Sequence, residues 1–181
     1  MSNMHNGAIT KNEVNMIRLA LPEDSKLDPK YGNRPHCGIT ACAIVSGKSH
    51  RHVKNIVQLC GKYGKGWKGG MHTGTFYTTL NELGVQYEVK RRSNNALETS
   101  RSIKRFVEEF SSQQPTKTFL VLTGSHAQVV QGRKVADQGG VFDVSDYRGK
   151  RYRTSVIFEI ITPVANLDAQ LLGLPLFDLI N

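Results

Sequence analysis

Three residues that lie far apart in the chain, Cys37, His126 and Asp137, are of the types that perform acyl-transfer chemistry. Cys37 stands where a polar stretch gives way to the apolar run 38–45, and this run predicts a buried helix. A thiol at a helix start meets unpaired N–H groups and the positive end of the helix dipole, and both favour the nucleophilic thiolate. An inert core thiol is the alternative, because cysteine is among the most buried residue types.

A thiolate nucleophile needs a base, and the base needs a partner that fixes its tautomer. His126 begins a segment that predicts a strand, and Gly132-Arg133 predicts a tight turn into the next strand. If Gln131 pairs with Lys134, position 128 lies opposite Asp137, and His126 shares the face of position 128. The carboxylate is therefore expected diagonally across from the imidazole, within hydrogen-bond reach. The alternative is a strand-end histidine and a turn aspartate that have no joint function.

Other histidines compete with His126 for the role of base, namely His36, His50, His52 and His72. His36 adjoins Cys37 in the chain, but a backbone neighbour rarely presents its ring to the attacking sulfur. His126 ranks above all of them because it comes with an acid on the neighbouring predicted strand, which completes an ordered cysteine, histidine and acid set.

The spacing of apolar residues predicts helices in the first part of the chain and strands in the second. Helices are expected from Gly38 to a C-cap at Gly47, from an N-cap at Ser49 to Gly61, from a cap at Thr73 to Gly84, and from Ser100 to Phe110. Strands are expected over 85–89, 119–122, 126–131, 134–136, 141–144 and 152–160. Helices followed by a mainly antiparallel sheet indicate an α+β fold.

The length of 181 residues fits one domain with its own hydrophobic core. This domain is expected over 30–161, preceded by an arm over 1–29 and followed by an apolar tail over 162–181 that docks on the domain or on a partner. Three cysteines, an odd number, argue against a disulfide framework. The cysteine and histidine spacings match no zinc motif, so neither a metal nor a cofactor is expected.

A formal net charge of +9, with a pI near 9.6, is the strongest compositional signal. It predicts attraction to polyanions such as nucleic acid, an acidic protein or a cell-envelope polymer. The basic residues are scattered, which favours a solvated cationic surface over specific nucleic-acid recognition. No apolar run approaches the roughly 20 residues that span a bilayer, and residues 1–7 lack a secretory signal. A cytoplasmic location is expected, in a host cytoplasm or in a virion if the chain is phage-encoded.

Six glycines and the single tryptophan, Trp67, fall between positions 61 and 74. This composition predicts a loop. Its spacing does not match the phosphate-binding pattern that ends in glycine, lysine and serine or threonine, which argues against a nucleotide site. The loop could cover a cleft beside Cys37.

The segments around the three candidate groups resemble the papain-like cysteine peptidase superfamily, in the small form of bacterial and phage proteins and of bacteriocin-processing peptidases. The matching residues are 33–44 with Gly47-Lys48-Ser49, the Gly74-Thr75 start with Leu80, Leu83 and Gly84, and 119–137 around Ser125-His126-Ala127. The resemblance implies a papain-like fold with Cys37 as nucleophile, His126 as base and Asp137 as orienting acid. The family also places an amide side chain, often glutamine, before the cysteine as an oxyanion donor. Positions 31–36 hold no glutamine here, and Asn33 is the nearest substitute.

The leading hypothesis is a thiol hydrolase that cleaves amide or isopeptide bonds in a peptide, a protein or a peptidoglycan cross-link. Cys37 attacks the carbonyl, His126 carries the proton, Asp137 holds the imidazole, and Asn33 with the N–H of Cys37 stabilises the oxyanion. The alternative is a catalytically inactive papain-like module that binds nucleic acid or an acidic partner through its cationic surface. The sequence carries no signal for the oligomeric state.

Overall fold

The computed structural model describes residues 17–27, 35–89 and 101–162, which form a mixed α+β fold as predicted. The α-helices are α1 (Cys37–Ser46), α2 (His50–Cys60), α3 (Thr73–Glu82) and α4 (Ile103–Glu109). The strands are β1 (Gln86–Val89), β2 (Thr118–Thr123), β3 (Ala127–Gln131), β4 (Lys134–Asp137), β5 (Gly140–Asp143) and β6 (Thr154–Thr162). Short 3-10 helices cover Glu23–Leu27 and Ser111–Gln113.

The six strands of the described residues form one antiparallel sheet in the order β1-β6-β2-β3-β4-β5. Strands β2 to β5 follow one another as hairpins, whereas β6 inserts between β1 and β2. The turn between β3 and β4 is the predicted one: Gln131 pairs with Lys134, and Gly132 has a φ of 54°, a left-handed conformation that glycine adopts without strain. The predicted register of this hairpin is therefore confirmed.

Helices cover both faces of the sheet. Alternation along β2 sends Leu120 and Leu122 into a core shared with α1, α2 and α3, while Phe119 and Val121 enter a second core under α4. Every residue of β2 is buried, because a central strand covered on both faces needs apolar side chains at consecutive positions. The sheet therefore separates the helix that carries Cys37 from α4.

Helix α1 is buried along its whole length after Cys37, as its unbroken apolar run predicts. Gly47 ends it in the left-handed conformation, with a φ of 65°. Gly38 is required by close packing: a Cβ at this position would lie 2.5 Å from Sδ of Met71 and 2.9 Å from Cζ of Phe76. Met71, before α3, and Phe76, in α3, therefore lie directly against the first turn of α1.

The predicted helix starts are correct to within one or two residues. Ser49 caps α2 and accepts a hydrogen bond from the N–H of His52 at 3.2 Å. The cap of α3 is His72 rather than Thr73, which is already the first helical residue. The cap of α4 is Ser102, because its backbone bridges to Arg153 beside β6 and its hydroxyl accepts from the N–H of Arg105; Ser100 lies outside the described residues.

Part of the predicted arm packs on the domain. Ile17, Leu19 and Leu21 contact the core, and the Asp24 carboxylate accepts hydrogen bonds from the first N–H groups of α2, at 2.7 Å from His50 and 2.9 Å from Arg51. Of the predicted C-terminal tail, everything after position 162 lies outside the described residues. In the ranges that are described, no helix has the length and apolar character needed to cross a membrane.

Candidate active site

Cys37 is the first residue of α1 and its side chain is half-buried. No side chain caps the N-terminus of this helix, so its N–H groups are directed towards the sulfur and the space around it. The N–H of Gly38, from the helix itself, and the N–H of Ala127, from the start of β3, both lie close enough to the thiol to lower its pKa. The sulfur therefore lies at the junction between the helical layer and the sheet.

His126 reaches the same junction from the turn between β2 and β3. Its carbonyl oxygen accepts hydrogen bonds from the N–H of Thr123 at 2.8 Å and from the Thr123 hydroxyl at 3.1 Å. These two bonds close the turn that contains Gly124 and Ser125. The imidazole lies beside the Cys37 thiol, close enough to lower the pKa of that thiol. Packing of α1 across β2, β3 and β4 thus brings together two residues that are 89 positions apart.

Asp137, the last residue of β4, completes the set. Its Oδ2 lies 2.8 Å from Nε2 of His126, the diagonal cross-strand contact that the hairpin register predicts. This contact leaves Nδ1 of His126 as the ring nitrogen available to the sulfur. The other carboxylate oxygen, Oδ1, accepts the N–H of Gly139 at 2.7 Å, which fixes the carboxylate plane.

The Cys37 thiol, the His126 imidazole and the Asp137 carboxyl shift one another's pKa values in the directions that favour their charged forms. Burial raises the pKa of Cys37, but the hydrogen bond and charge of His126, together with the N–H groups of Ala127 and Gly38, lower this pKa by more, so it lies below its ordinary value. Burial lowers the pKa of His126, but hydrogen bonds and charges of Asp137 and Cys37 raise it to about 9. Both directions favour a thiolate beside an imidazolium, which is the nucleophilic form.

Asp137 stays ionised across the neutral range. Burial raises the pKa of this carboxyl, but the hydrogen bonds from His126, Gly139 and Tyr147 and the charge of the imidazolium lower it below its ordinary value. By contrast, burial raises the pKa of Cys42, which is completely enclosed within α1. The two cysteines of this helix therefore differ: the pKa of Cys37 lies below its ordinary value and that of Cys42 lies above it.

Two buried polar residues behind the acid, Tyr147 and Gln128, were not predicted from the sequence. The Tyr147 hydroxyl lies 3.1 Å from Oδ2 of Asp137 and 3.2 Å from Oε1 of Gln128. Nε2 of Gln128 donates in turn to the carbonyl of Val121 at 2.7 Å, inside the central strand. This chain of hydrogen bonds anchors the carboxylate to the sheet, and it depends on contacts that no local pattern could reveal.

A third missed residue, Gln138, joins the acid to the nucleophile through the backbone. Its Oε1 accepts the N–H of His36, the residue before Cys37, at 2.8 Å across 102 positions of sequence. The turn after Asp137 is thereby attached to the turn that precedes α1. Gln138 therefore sets the separation between the two halves of the candidate site.

A cleft of about 290 Å³ opens in front of the Cys37 sulfur and the His126 ring. Its lining combines small residues with apolar and hydroxyl side chains, and Cys37 and His126 supply its ionisable groups. The lining residues are Pro35, Cys37, Gly38, Gly70, Met71, Thr73, Phe76, Leu122, Thr123, Gly124, Ser125, His126 and Ala127.

The remaining sequence candidates fall elsewhere. His36 and His50 are buried and stack on each other with ring centroids 5.4 Å apart, and His72 is the cap of α3. Asn33, the candidate oxyanion donor, lies outside the described residues. Within the part of the chain that the structure describes, no group of three histidine, cysteine, aspartate or glutamate side chains could hold a metal ion.

Comparison of the chain with protein-family models, with curated proteins and with solved structures found no match. The site itself combines a thiol of lowered pKa, a histidine beside it, an anchored carboxylate and an open cleft.

Proposed function

We propose that the protein is a thiol hydrolase that cleaves amide or isopeptide bonds by a cysteine, histidine and aspartate mechanism. The observation that carries this proposal is that Cys37 and His126 line one cleft side by side, with Nε2 of His126 2.8 Å from Oδ2 of Asp137. A nucleophile, a base in contact with it and a group that orients the base are the three parts that acyl transfer requires.

In the proposed reaction the Cys37 thiolate attacks the substrate carbonyl carbon and forms a tetrahedral intermediate. The His126 imidazolium then gives its proton to the leaving nitrogen as the carbon–nitrogen bond breaks, which leaves a thioester on Cys37. The neutral imidazole next takes a proton from water, whose oxygen attacks the thioester, and the acid product leaves as the thiolate returns. Asp137 stabilises the imidazolium that exists before the first proton transfer and again after the second.

The oxyanion of the tetrahedral intermediate needs hydrogen-bond donors beside Cys37. We propose the backbone N–H of Cys37, at the uncapped start of α1, as one donor. The second donor proposed from the sequence, Asn33, is not among the described residues. A papain-like arrangement, with the nucleophile at a buried helix start and the base and acid on an antiparallel sheet, is the fold relationship that we propose on the same grounds.

The test is the reaction of the three cysteines with an excess of iodoacetamide, followed by mass spectrometry of each thiol. Cys60 is half-buried like Cys37, so it serves as a reference for exposure inside the same molecule. At neutral pH, Cys37 is expected to react at least about tenfold faster than Cys60, because a thiolate and not a thiol is the nucleophile. His126→Ala is expected to remove most of that difference. Equal rates at Cys37 and Cys60 in the unaltered protein would sink the proposal.

A binding module without catalysis is the second candidate, favoured by the net charge of +9. In that case Cys37→Ala leaves the association with polyanions unchanged, and this association falls with rising salt. The hydrolase predicts instead that Cys37→Ala abolishes turnover of a quenched-fluorescence peptide library while binding persists. The library readout therefore separates the two candidates.

A further inference from the structure

The loop between α2 and α3, residues 61–72, carries positive charge that the proposed mechanism does not use. Between positions 48 and 81 the sequence has six lysines and arginines and no aspartate or glutamate, so under a fifth of the chain supplies six of its nine net positive charges. Lys62, Lys65 and Lys68 lie in the loop with exposed side chains. The ion pairs formed within the described ranges involve none of these three lysines.

Aromatic contacts fix the shape of this loop. The rings of Tyr63 and Trp67 stack with centroids 4.7 Å apart and planes 8° from parallel, and Nε1 of Trp67 donates to the carbonyl of Gly70 at 2.6 Å. The Tyr63 hydroxyl lies 3.0 Å from the Thr75 hydroxyl and accepts the N–H of His72 at 3.1 Å. The lysines are therefore attached to a fixed backbone, which reduces the entropy lost when they bind a ligand.

The loop ends at the wall of the cleft. Gly70 and Met71 line the cleft directly. Gly69 has a φ of 96°, and a Cβ there would lie 2.9 Å from the carbonyl oxygen of Pro35, two residues before the nucleophile. Lys68 thus stands one residue from a backbone contact with the Cys37 turn and two residues from Gly70 at the wall of the cleft.

We propose that Lys62, Lys65 and Lys68 form a cationic rim that binds an acidic stretch of the polypeptide substrate next to the residue that Cys37 attacks. Cleavage of the bound polypeptide rests on the proposed function, whereas its binding to the rim does not. The cleft contains no carboxylate, lysine or arginine, so selection by charge falls to the loop. An acidic polypeptide fits better than a nucleic acid, because single-stranded nucleic acid is held by exposed aromatic faces, whereas Tyr63 and Trp67 pair with each other.

The experiment measures binding in the full chain with Cys37→Ser, which prevents turnover. Trp67 is the single tryptophan of the chain and lies in the loop itself, so its fluorescence reports on the rim. The ligands are a blocked oligoglutamate peptide, an oligoglutamine peptide of equal length and an oligothymidylate strand. The rim variant is Lys62→Gln/Lys65→Gln/Lys68→Gln. Its matched control is Lys104→Gln/Lys117→Gln/Lys134→Gln. This variant removes the same charge from α4, from the residue directly before β2 and from β4.

Oligoglutamate is expected to bind and oligoglutamine is not. Exposed charge contacts contribute about a factor of two to five each, so the rim variant is expected to weaken oligoglutamate binding by about tenfold to a hundredfold, and the control variant by less than about threefold. Added salt should weaken binding in the control and not in the rim variant. Circular dichroism checks that both variants fold.

Equal weakening by both triple variants would overturn the proposal, since it would show an effect of net charge alone. Binding of oligothymidylate in preference to oligoglutamate would overturn it in favour of a nucleic-acid surface. The thiol reactivity of the unaltered protein distinguishes failure of the hydrolase proposal from failure of the rim proposal. Slow labelling of Cys37 with intact, rim-dependent oligoglutamate binding leaves the rim as a binding surface. Fast labelling without such binding refutes the rim alone.

Discussion

Replacement of Asp137 by asparagine is the most direct perturbation of the proposed site. Asparagine has almost the same shape as aspartate and keeps one oxygen that can accept the hydrogen bond from Nε2 of His126, but it removes the negative charge. The pKa of His126 is raised from 6.5 to about 9. That rise corresponds to about 3 kcal/mol in favour of the imidazolium.

Two anionic partners sustain this pKa against the opposing effect of burial, namely the Asp137 carboxylate and the Cys37 thiolate. If each supplies half of the net rise, Asp137→Asn lowers the pKa of His126 by about 1.2, or roughly 1.6 kcal/mol. The ratio of the thiolate–imidazolium pair to the neutral pair then falls by about tenfold or slightly more. Alkylation of Cys37 at neutral pH is expected to slow by up to the same factor.

The pKa of His126 can be followed by NMR titration of a protein labelled at its histidines, with His126→Ala used to assign the resonance. Iodoacetamide rates measured from about pH 6 to about pH 10 complete the assay, because above the pKa of both groups the thiolate forms without the imidazolium and the two proteins should converge. Asp143→Asn is the matched control, since Asp143 is a β5 carboxylate that binds Arg133 and Ser145.

Linkage gives an independent readout of the same charge pair. A histidine whose pKa is raised in the folded state contributes stability that is complete below its unfolded pKa of about 6.5. That contribution is lost as the pH rises through the folded value of about 9. The excess unfolding free energy of the unaltered protein over Asp137→Asn should therefore be about 1.6 kcal/mol near pH 6 and shrink towards pH 9. An unchanged pKa of His126, or an equal fall in Asp143→Asn, would refute the reasoning.

Three further predictions concern the groups that hold the site together, each measured by urea unfolding. Tyr147→Phe removes the hydroxyl between Asp137 and Gln128 and is expected to cost about 1 to 3 kcal/mol, because Gln128 is completely buried; a loss below about 0.5 kcal/mol would contradict that role. Gln138→Leu removes the acceptor of the His36 N–H and should cost about 1 to 2 kcal/mol, whereas Gln138→Glu keeps an acceptor oxygen and should retain most of the stability and the Cys37 reactivity. Gly38→Ala forces a Cβ to within 2.5 Å of Met71 and should cost about 1 to 3 kcal/mol, while Gly74→Ala, with open space in α3, should be neutral or stabilising.

Local sequence patterns predicted the secondary structure and one important register. The cap at Ser49, the stop at Gly47 and the two-residue turn at Gly132-Arg133 depend on the conformational preferences of a few consecutive residues. Since that turn fixes which residues face each other across the hairpin, the contact of His126 with Asp137 could also be predicted from sequence.

The predicted start of α4 at Ser100 is two residues too early, and the reason is a long-range contact. Ser100 and Ser102 are equally good capping residues, but the backbone of Ser102 is held by its bridge to Arg153 and that contact selects where the helix begins. The position of β6 between β1 and β2 is likewise a long-range choice, since strands of the same composition could pair at either edge of the sheet.

Residue types, turns and periodicity act over a few residues, so local sequence was enough to select Cys37, His126 and Asp137 as candidates and to place the last two on one hairpin. Tertiary packing brings the start of α1 to the start of β3, and this places the Cys37 thiol beside the His126 ring. Long-range hydrogen bonds of Tyr147, Gln128 and Gln138 then hold Asp137 and the turn before Cys37 in place. These contacts arise when apolar faces pack and buried polar groups find partners. The activation of Cys37 follows from that packing, because the burial, hydrogen bonds and charges that set a pKa are properties of the folded surroundings.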